Sequence, residues 1–234
     1  MLIQSMSPKI IVVIPAFNEE NAVGKVVKAI PTPLVDLIIV VNNASTDATR
    51  KNAEDQGAMV IDQPVKGYGN ACLKGMEYIA QERLNPDIVV FIDADFSDYP
   101  EEMPLLIDPI IDENYDMVIG SRALGKREKG SMTIPQVFGN WLATKLLKWI
   151  YGYRFTDLGP FRSIKYSKLI ELNMQDKTYG WTVEMQVKAA KRQMKTTEVA
   201  VNYKNRIGTS KVSGTVKGTF MAGYKILYTI FKYI

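Results

Sequence analysis

Ile88-Val89-Val90-Phe91-Ile92-Asp93-Ala94-Asp95 is an apolar run that stops on two carboxylates, with Ser97-Asp98-Tyr99-Pro100 just beyond it. A short β-branched and aromatic run of this kind predicts a strand buried in a sheet, so the carboxylates emerge where the strand ends. Ligands of open α/β sheets bind at those strand ends. Two carboxylates held side by side repel unless a cation lies between them. Asp93-Ala94-Asp95 is therefore a candidate holder of a divalent metal carrying phosphates. Read alone, it is equally a solvated turn capping the helix predicted from Glu101.

Working back from this stretch, the pattern repeats. Lys9 to Ile14, Leu37 to Val41 and Met59 to Ile61 read as strands, and helices are predicted at Glu20 to Ala29, Ala48 to Gln56 and from Lys66-Gly67-Tyr68-Gly69 to about Arg83. The two glycines beside Lys66 open a helix in a way that would let backbone N–H groups approach an anion. Working forward, a helix runs through Met103 and Leu106 to Ile110, and Met117 to Gly120 is another strand, ending in Ser121-Arg122. Gln136 to Ile150 is predicted as a helix burying Phe138, Trp141, Leu142, Leu146 and Trp149. A helix capped by Thr182 carries Glu184 to Lys191, and a strand covers Glu198 to Tyr203. Alternation of strand and helix with short connections predicts a parallel sheet with helices on its faces. Gly125 to Gly130, rich in charge and without apolar periodicity, reads as a mobile loop.

Composition excludes several chemistries. The chain has 234 residues, 47% hydrophobic, 23% charged, a net charge of +4, no histidine and one cysteine. That rules out an intramolecular disulfide, a thiolate or imidazole zinc site and a histidine general base. Any metal must bind oxygen ligands, which favours Mg²⁺ or Mn²⁺. The charge is too mild and too dispersed for a nucleic-acid partner. Cys72, in a helical pattern, reads as a core residue. With no secretory signal and no span-length apolar segment, the expected location is the cytoplasm. Beyond Glu198 no acidic residue occurs, while six lysines and arginines do. On a terminal helix, Phe220, Tyr224, Leu227, Phe231 and Ile234 form one stripe and Lys217, Lys225 and Lys232 another face. Such a helix either packs on the domain or lies peripherally on an anionic membrane face. The expected organisation is one domain over 1–211 and a basic amphipathic helix over 212–234.

Four ordered motifs at strand ends give a resemblance: Pro15-Ala16-Phe17-Asn18-Glu19-Glu20, Asn42-Asn43-Ala44-Ser45-Thr46-Asp47, Lys66-Gly67-Tyr68-Gly69-Asn70-Ala71 and Asp93-Ala94-Asp95. Together they resemble a family 2 glycosyltransferase with the GT-A (nucleotide-diphospho-sugar transferase) fold, an α/β fold with a mainly parallel central sheet and helices on both faces. Gly120-Ser121-Arg122, Asp157-Leu158-Gly159-Pro160-Phe161-Arg162, Glu184 and Arg206 to Lys211 are similar to the branch of dolichyl-phosphate mannose and polyprenyl-phosphate glucose synthases. The resemblance implies a UDP- or GDP-sugar donor, with Pro15, Ala16, Phe17, Asn18 and Glu19 around the nucleoside, Asn42 against the base, and Lys66 and Gly67 nearby. It implies Mg²⁺ or Mn²⁺ on Asp93 and Asp95 at the diphosphate, with Ala94 between them. Three positions depart from it: Asn42 stands where the family usually has aspartate, Ser97 where the synthase branch has glutamine, and an arginine expected ahead of Asn140 is missing.

The acceptor turns on what activates the nucleophile. A sugar hydroxyl needs a base, for which Asp157 and Glu184 are the candidates. A lipid phosphate arrives anionic and needs a cationic cradle, which Arg122, Arg206 and Lys211 could supply. The expectation is an inverting, metal-dependent transferase acting on a polyprenyl phosphate, with Asp95, Asp157, Glu184 and Arg206 as its catalytic set. The alternatives are transfer to a sugar hydroxyl, a sugar-1-phosphate nucleotidyltransferase, and a sugar-nucleotide binder without catalysis.

Overall fold

The computed structural model describes residues 7–210 and 216–234. Its elements in chain order are β1 (Ile10–Ala16), α1 (Val23–Ala29), β2 (Leu37–Asn42), α2 (Thr49–Glu54), β3 (Met59–Asp62), α3 (Tyr68–Gln81), β4 (Ile88–Phe91), α4 (Met103–Asp112), β5 (Met117–Ser121), α5 (Ile134–Tyr151), β6 (Arg162–Lys165), α6 (Tyr166–Leu172), α7 (Trp181–Lys191), β7 (Thr196–Ala200) and α8 (Val216–Lys232). The seven strands form one sheet in the order β3-β2-β1-β4-β6-β5-β7. All neighbours pair in parallel except β6, which runs antiparallel to both β4 and β5. The sheet is mainly parallel, as the alternation of elements predicts.

Every residue of β1, β4 and β5 is buried. Strands covered by helices on both faces need no polar alternate, which is why their Ile/Val runs show none. Two core clusters result. One holds the β1 residues Ile10, Val12 and Ile14 with α1 and α4. The other holds Ile11 and Val13 with α3, α5, α7 and α8. Residues of α7 from Val183 to Ala190 are buried on every side, because the helix lies between the sheet and the pair α5 and α8. Trp181 at its start packs edge-on against Phe91 of β4, ring centroids 5.8 Å apart.

Several expectations are corrected. Strand β6 and helix α6 fall in a stretch, 162–172, that periodicity does not mark, because each is short. Helix α7 begins at Trp181 after Gly180, so Thr182 lies inside it and caps nothing. The loop 125–130 is tied down: Tyr203 N–H donates to Lys126 O, Glu128 N–H to Tyr203 O, and the Glu128 carboxylate accepts from Asn205. On α5, Phe138, Trp141 and Trp149 are exposed, and the buried side is Ala143, Thr144 and Leu147. The apolar stripe expected on the last helix also faces outward at Phe220, Tyr224, Phe231 and Ile234, while Thr229 and Ile230 are buried. The boundary expected at 211/212 lies outside the described residues.

Candidate functional site

Strand β1 pairs with β2 on one side and β4 on the other, so the direction of winding reverses at β1 and a crevice opens beyond the strand ends. The loops after β1, β2 and β4 meet there. Pro15, Ala16, Phe17, Glu19, Lys66, Gly67, Asp93, Ala94, Asp95 and Arg206 all line one compartment, together with Asn43, Tyr68 and Tyr179. Lys66 Nζ stands 4.5 Å from the centroid of the Phe17 ring. Asn18 and Asn42 are placed differently. Asn18, with a left-handed φ of 53°, accepts from Thr46 N–H on its side chain and donates its own N–H to Ser45 Oγ, so it bolts the first loop to the second. The Asn42 amide donates to Asp62, and it is Asn43 that lines the crevice, its Oδ1 accepting from Gly67 N–H at 2.8 Å.

The glycine turn also differs from its expected use. Gly69 and Asn70 N–H donate to the carbonyls of Thr178 and Lys177, and a Cβ at Gly69 would collide with the Asp176 carbonyl. Its glycines admit the chain's own 176–178 backbone, and those amides are not free for an anion.

Asp93 is half-buried in the crevice floor. Its Oδ1 has no hydrogen-bond partner, and Tyr68 and Cys72 face it from α3. Burial, and then the neighbouring Asp95 charge, push its carboxyl well above the usual range. Asp95 accepts from the Ser97 amide and hydroxyl on Oδ1, while Oδ2 lies 3.1 Å from Arg206 Nη1. The other Arg206 nitrogen reaches Glu19 at 2.8 Å. A cation thus already sits against the outer carboxylate. The donor set suits an oxygen-loving divalent ion: one orphaned buried carboxylate oxygen on Asp93, and a second on Asp95 whose present partner is an arginine. Among the described residues no cluster of three or more potential ligands closes on one point. Mg²⁺-type sites are often completed by one or two carboxylates plus substrate phosphates and water, so two suffice.

A second compartment adjoins the first across Tyr68, Asp93, Asp95, Tyr179 and Arg206. It is a cleft of about 290 Å³ that continues between α5 and α8, past Gly139, Leu158, Pro160, Ala222, Gly223 and Ile226. Arg122 lines it, held by Asp157 through two side-chain hydrogen bonds of 2.7 Å and by its own N–H. Burial raises the Asp157 carboxyl, but the Arg122 contact outweighs it and holds the group below the usual range. Glu184 does not line either compartment. Fully buried, it accepts from Gln175 N–H, Asp176 N–H, Tyr233 Oη and Lys188 Nζ. Lys211 lies outside the described residues.

The profile of Glycosyl transferase family 2 matches residues 11–172, which include the β1, β2 and β4 loops of the crevice. The chain belongs to that family. This family 2 glycosyltransferase is 33% identical over 219 residues to an uncharacterised glycosyltransferase of Mycobacterium tuberculosis, covering 90% of this chain and 93% of the relative. It is 27% identical to an undecaprenyl-phosphate mannosyltransferase of Micrococcus luteus, over 90% of each chain. A UDP-N-acetylglucosamine–dolichyl-phosphate N-acetylglucosaminyltransferase of Methanococcus voltae is also 27% identical, over 96% of each. Among solved structures, glucosyl-3-phosphoglycerate synthase of Mycobacterium tuberculosis, in complex with Mn²⁺, UDP-glucose and phosphoglyceric acid, superimposes with a TM-score of 0.75 at 24% identity, covering 97% of this chain and 79% of that one. The likeness shows that the family 2 enzyme has the GT-A fold.

Reading the sequence alone misses Asn43, Tyr68, Tyr179 and Asp98. Asn43 and Tyr68 lie inside quoted motifs, where strand-end alternation separates Asn43 from Asn42 only once the register is known. Asp98 is 2% exposed, and neither carboxylate oxygen has a hydrogen-bond partner. Burial, and then the charge of Asp93, raise its carboxyl well above the ordinary value.

Proposed function

We propose that the protein is an inverting, divalent-metal-dependent glycosyltransferase that moves a sugar from a nucleotide-diphosphate donor to a polyprenyl phosphate. The observation that carries the acceptor is the fate of the carboxylates beside the second compartment. Asp157 is locked to Arg122, and Glu184, on α7, is buried with both carboxylate oxygens accepting hydrogen bonds. Neither is free to deprotonate a hydroxyl or to form a covalent glycosyl intermediate. A phosphate monoester needs no base, and the compartment offers it Arg122 and Arg206 beside an apolar groove. The relatives named for undecaprenyl and dolichyl phosphate support the same reading.

On this reading the nucleoside lies along the 15–19 loop with Asn43 and Lys66 at its edge. Mg²⁺ or Mn²⁺, held by Asp93 and Asp95, would neutralise the charge that develops on the diphosphate leaving group. Arg206 lies between the two compartments and orients the incoming phosphate. One acceptor phosphate oxygen bonds to the anomeric carbon as the bond to the diphosphate oxygen breaks, so a single displacement inverts the centre.

The test is transfer from a panel of UDP- and GDP-sugars to polyprenyl phosphate, set against a free glycan acceptor, with Mn²⁺ and with chelator. Transfer to the lipid phosphate alone, abolished by chelator, is expected. Glycan transfer that is lost in Asp157→Asn or Glu184→Gln would replace the reading with a base-catalysed one.

A further inference from the structure

Helices α5 and α8 pack against each other and against α7, and their buried edges join the same core cluster. Their outward faces therefore lie on one side of the molecule, away from the sheet. On α5 that face is Ile134, Phe138, Trp141, Lys145, Lys148 and Trp149, at helical spacing. On α8 it is Phe220, Met221, Tyr224, Tyr228 and Phe231, with Lys232 beside them. Trp149 is 81% exposed and Phe220 73%. Every exposed phenylalanine and tryptophan among the described residues is on these two helices. Neither 134–151 nor 216–234 contains an aspartate or glutamate, although the rest of the chain has 25.

We propose that the outward faces of α5 and α8 form one docking platform for an anionic lipid bilayer surface. Exposed aromatics of this density are unfavourable in water but suit the headgroup boundary, where an amphipathic ring has one apolar and one wet side. Lys145, Lys148 and Lys232, on helices that themselves carry no acidic residue, select a negatively charged surface, and a protein partner or second copy would more often be met by mixed charge. The platform is also where the second compartment opens: the groove past Gly139, Ala222 and Gly223 runs between these same helices. A lipid phosphate whose chain stays in the bilayer could reach Arg122 and Arg206 through it. No described helix is long and apolar enough to cross a membrane, so the contact is interfacial. The proposal rests on the lipid-phosphate reading for its purpose, and on the composition of the two faces for its physics.

The test is flotation of the full chain with vesicles of phosphatidylcholine, with and without about one-third phosphatidylglycerol. Binding to the anionic vesicles, weakened by salt, is expected. Trp149→Ser with Phe220→Ser and Phe231→Ser should reduce it roughly tenfold or more, and Lys145→Glu with Lys148→Glu and Lys232→Glu should remove the preference for phosphatidylglycerol. None of these residues lines the crevice, so transfer to a short-chain, water-soluble prenyl phosphate should continue in both variants. A wild-type chain that ignores anionic vesicles overturns the platform. So does one that is a dimer in solution and becomes monomeric on the aromatic substitutions, since the face is then an interface between copies. Failure of the acceptor reading looks different: vesicle binding persists, but the wild type does not glycosylate the soluble prenyl phosphate.

Discussion

Arg206 and the two aspartates it faces concentrate the chemistry of this chain in a few atoms. With Asp95→Asn the proposed outer metal ligand becomes a neutral amide and transfer should fall at least about a hundredfold while the melting temperature holds, a comparison made by steady-state assay and calorimetry. Arg206→Ala frees Asp95 from its ion pair. Mn²⁺ binding, read by titration calorimetry without donor, should then strengthen or stay level even as transfer drops by about two orders of magnitude. A joint loss of metal affinity and transfer would show that the arginine organises the metal site instead. Asp98 offers a pH test. Its folded-state carboxyl is raised by burial, so above the unfolded value near 3.8 the unfolded chain loses a proton that the folded chain retains. Stability from this group is therefore lost as pH rises. Asp98→Asn removes the penalty, and its melting temperature relative to wild type should increase between pH 5 and pH 8; a constant difference would mean that Asp98 does not titrate in the fold.

At the scale of elements, α8 and α7 are joined by the Glu184 carboxylate, which receives Tyr233 Oη at 2.6 Å and the amides of 175 and 176. Those amides begin the segment whose carbonyls hold Gly69 and Asn70 beside the first compartment. Glu184→Gln leaves Lys188 buried without its counter-charge and should cost about 3–5 kcal/mol in chemical denaturation. Tyr233→Phe removes one hydrogen bond and should cost about 1 kcal/mol. Both should retain measurable turnover below their melting temperatures; complete inactivity of folded Glu184→Gln would return this residue to the chemistry. The strands β1, β2, β4 and β5 are legible in the sequence because a strand buried on both faces leaves an unbroken Ile/Val run. Strand β6 is not, since it carries Arg162 and Ser163, whose burial is made tolerable only by carbonyls of Leu158, Gly159, Thr182 and Leu106 that no local pattern reveals. The outward stripe of α5 is hidden for a related reason, and the direction of the α8 stripe is open in the sequence: periodicity marks an apolar face but not which way it points. In the site, Asp93, Asp95 and the 15–19 loop stand at strand ends and are readable. Asp157 and Glu184 look like candidate bases until their long-range partners are seen.

The molecule as a whole brings two compartments to one sheet edge, and binding at that edge should be felt throughout the fold. A nucleoside diphosphate with Mn²⁺ at about a hundred times its dissociation constant adds about 2.7 kcal/mol. For a chain of this size that is a rise of roughly 5–10 °C in melting temperature. Either component alone should give less, and chelator should reverse the effect. No shift with any purine or pyrimidine diphosphate would count against a nucleotide donor.

The antiparallel strand β6 fixes the order in which the sheet can be completed during synthesis. Residues 10–91 supply four mutually paired strands, but β5 emerges with no neighbour, because its place beside β4 is taken by β6, one helix later in the chain. Until residue 165 has left the ribosome, β4 presents Ile88–Phe91 as an open, wholly apolar edge. Such an edge is a template for pairing with another nascent chain. A polypeptide stalled or truncated before Phe161 should therefore aggregate, whereas one extended past β6 closes that edge from within.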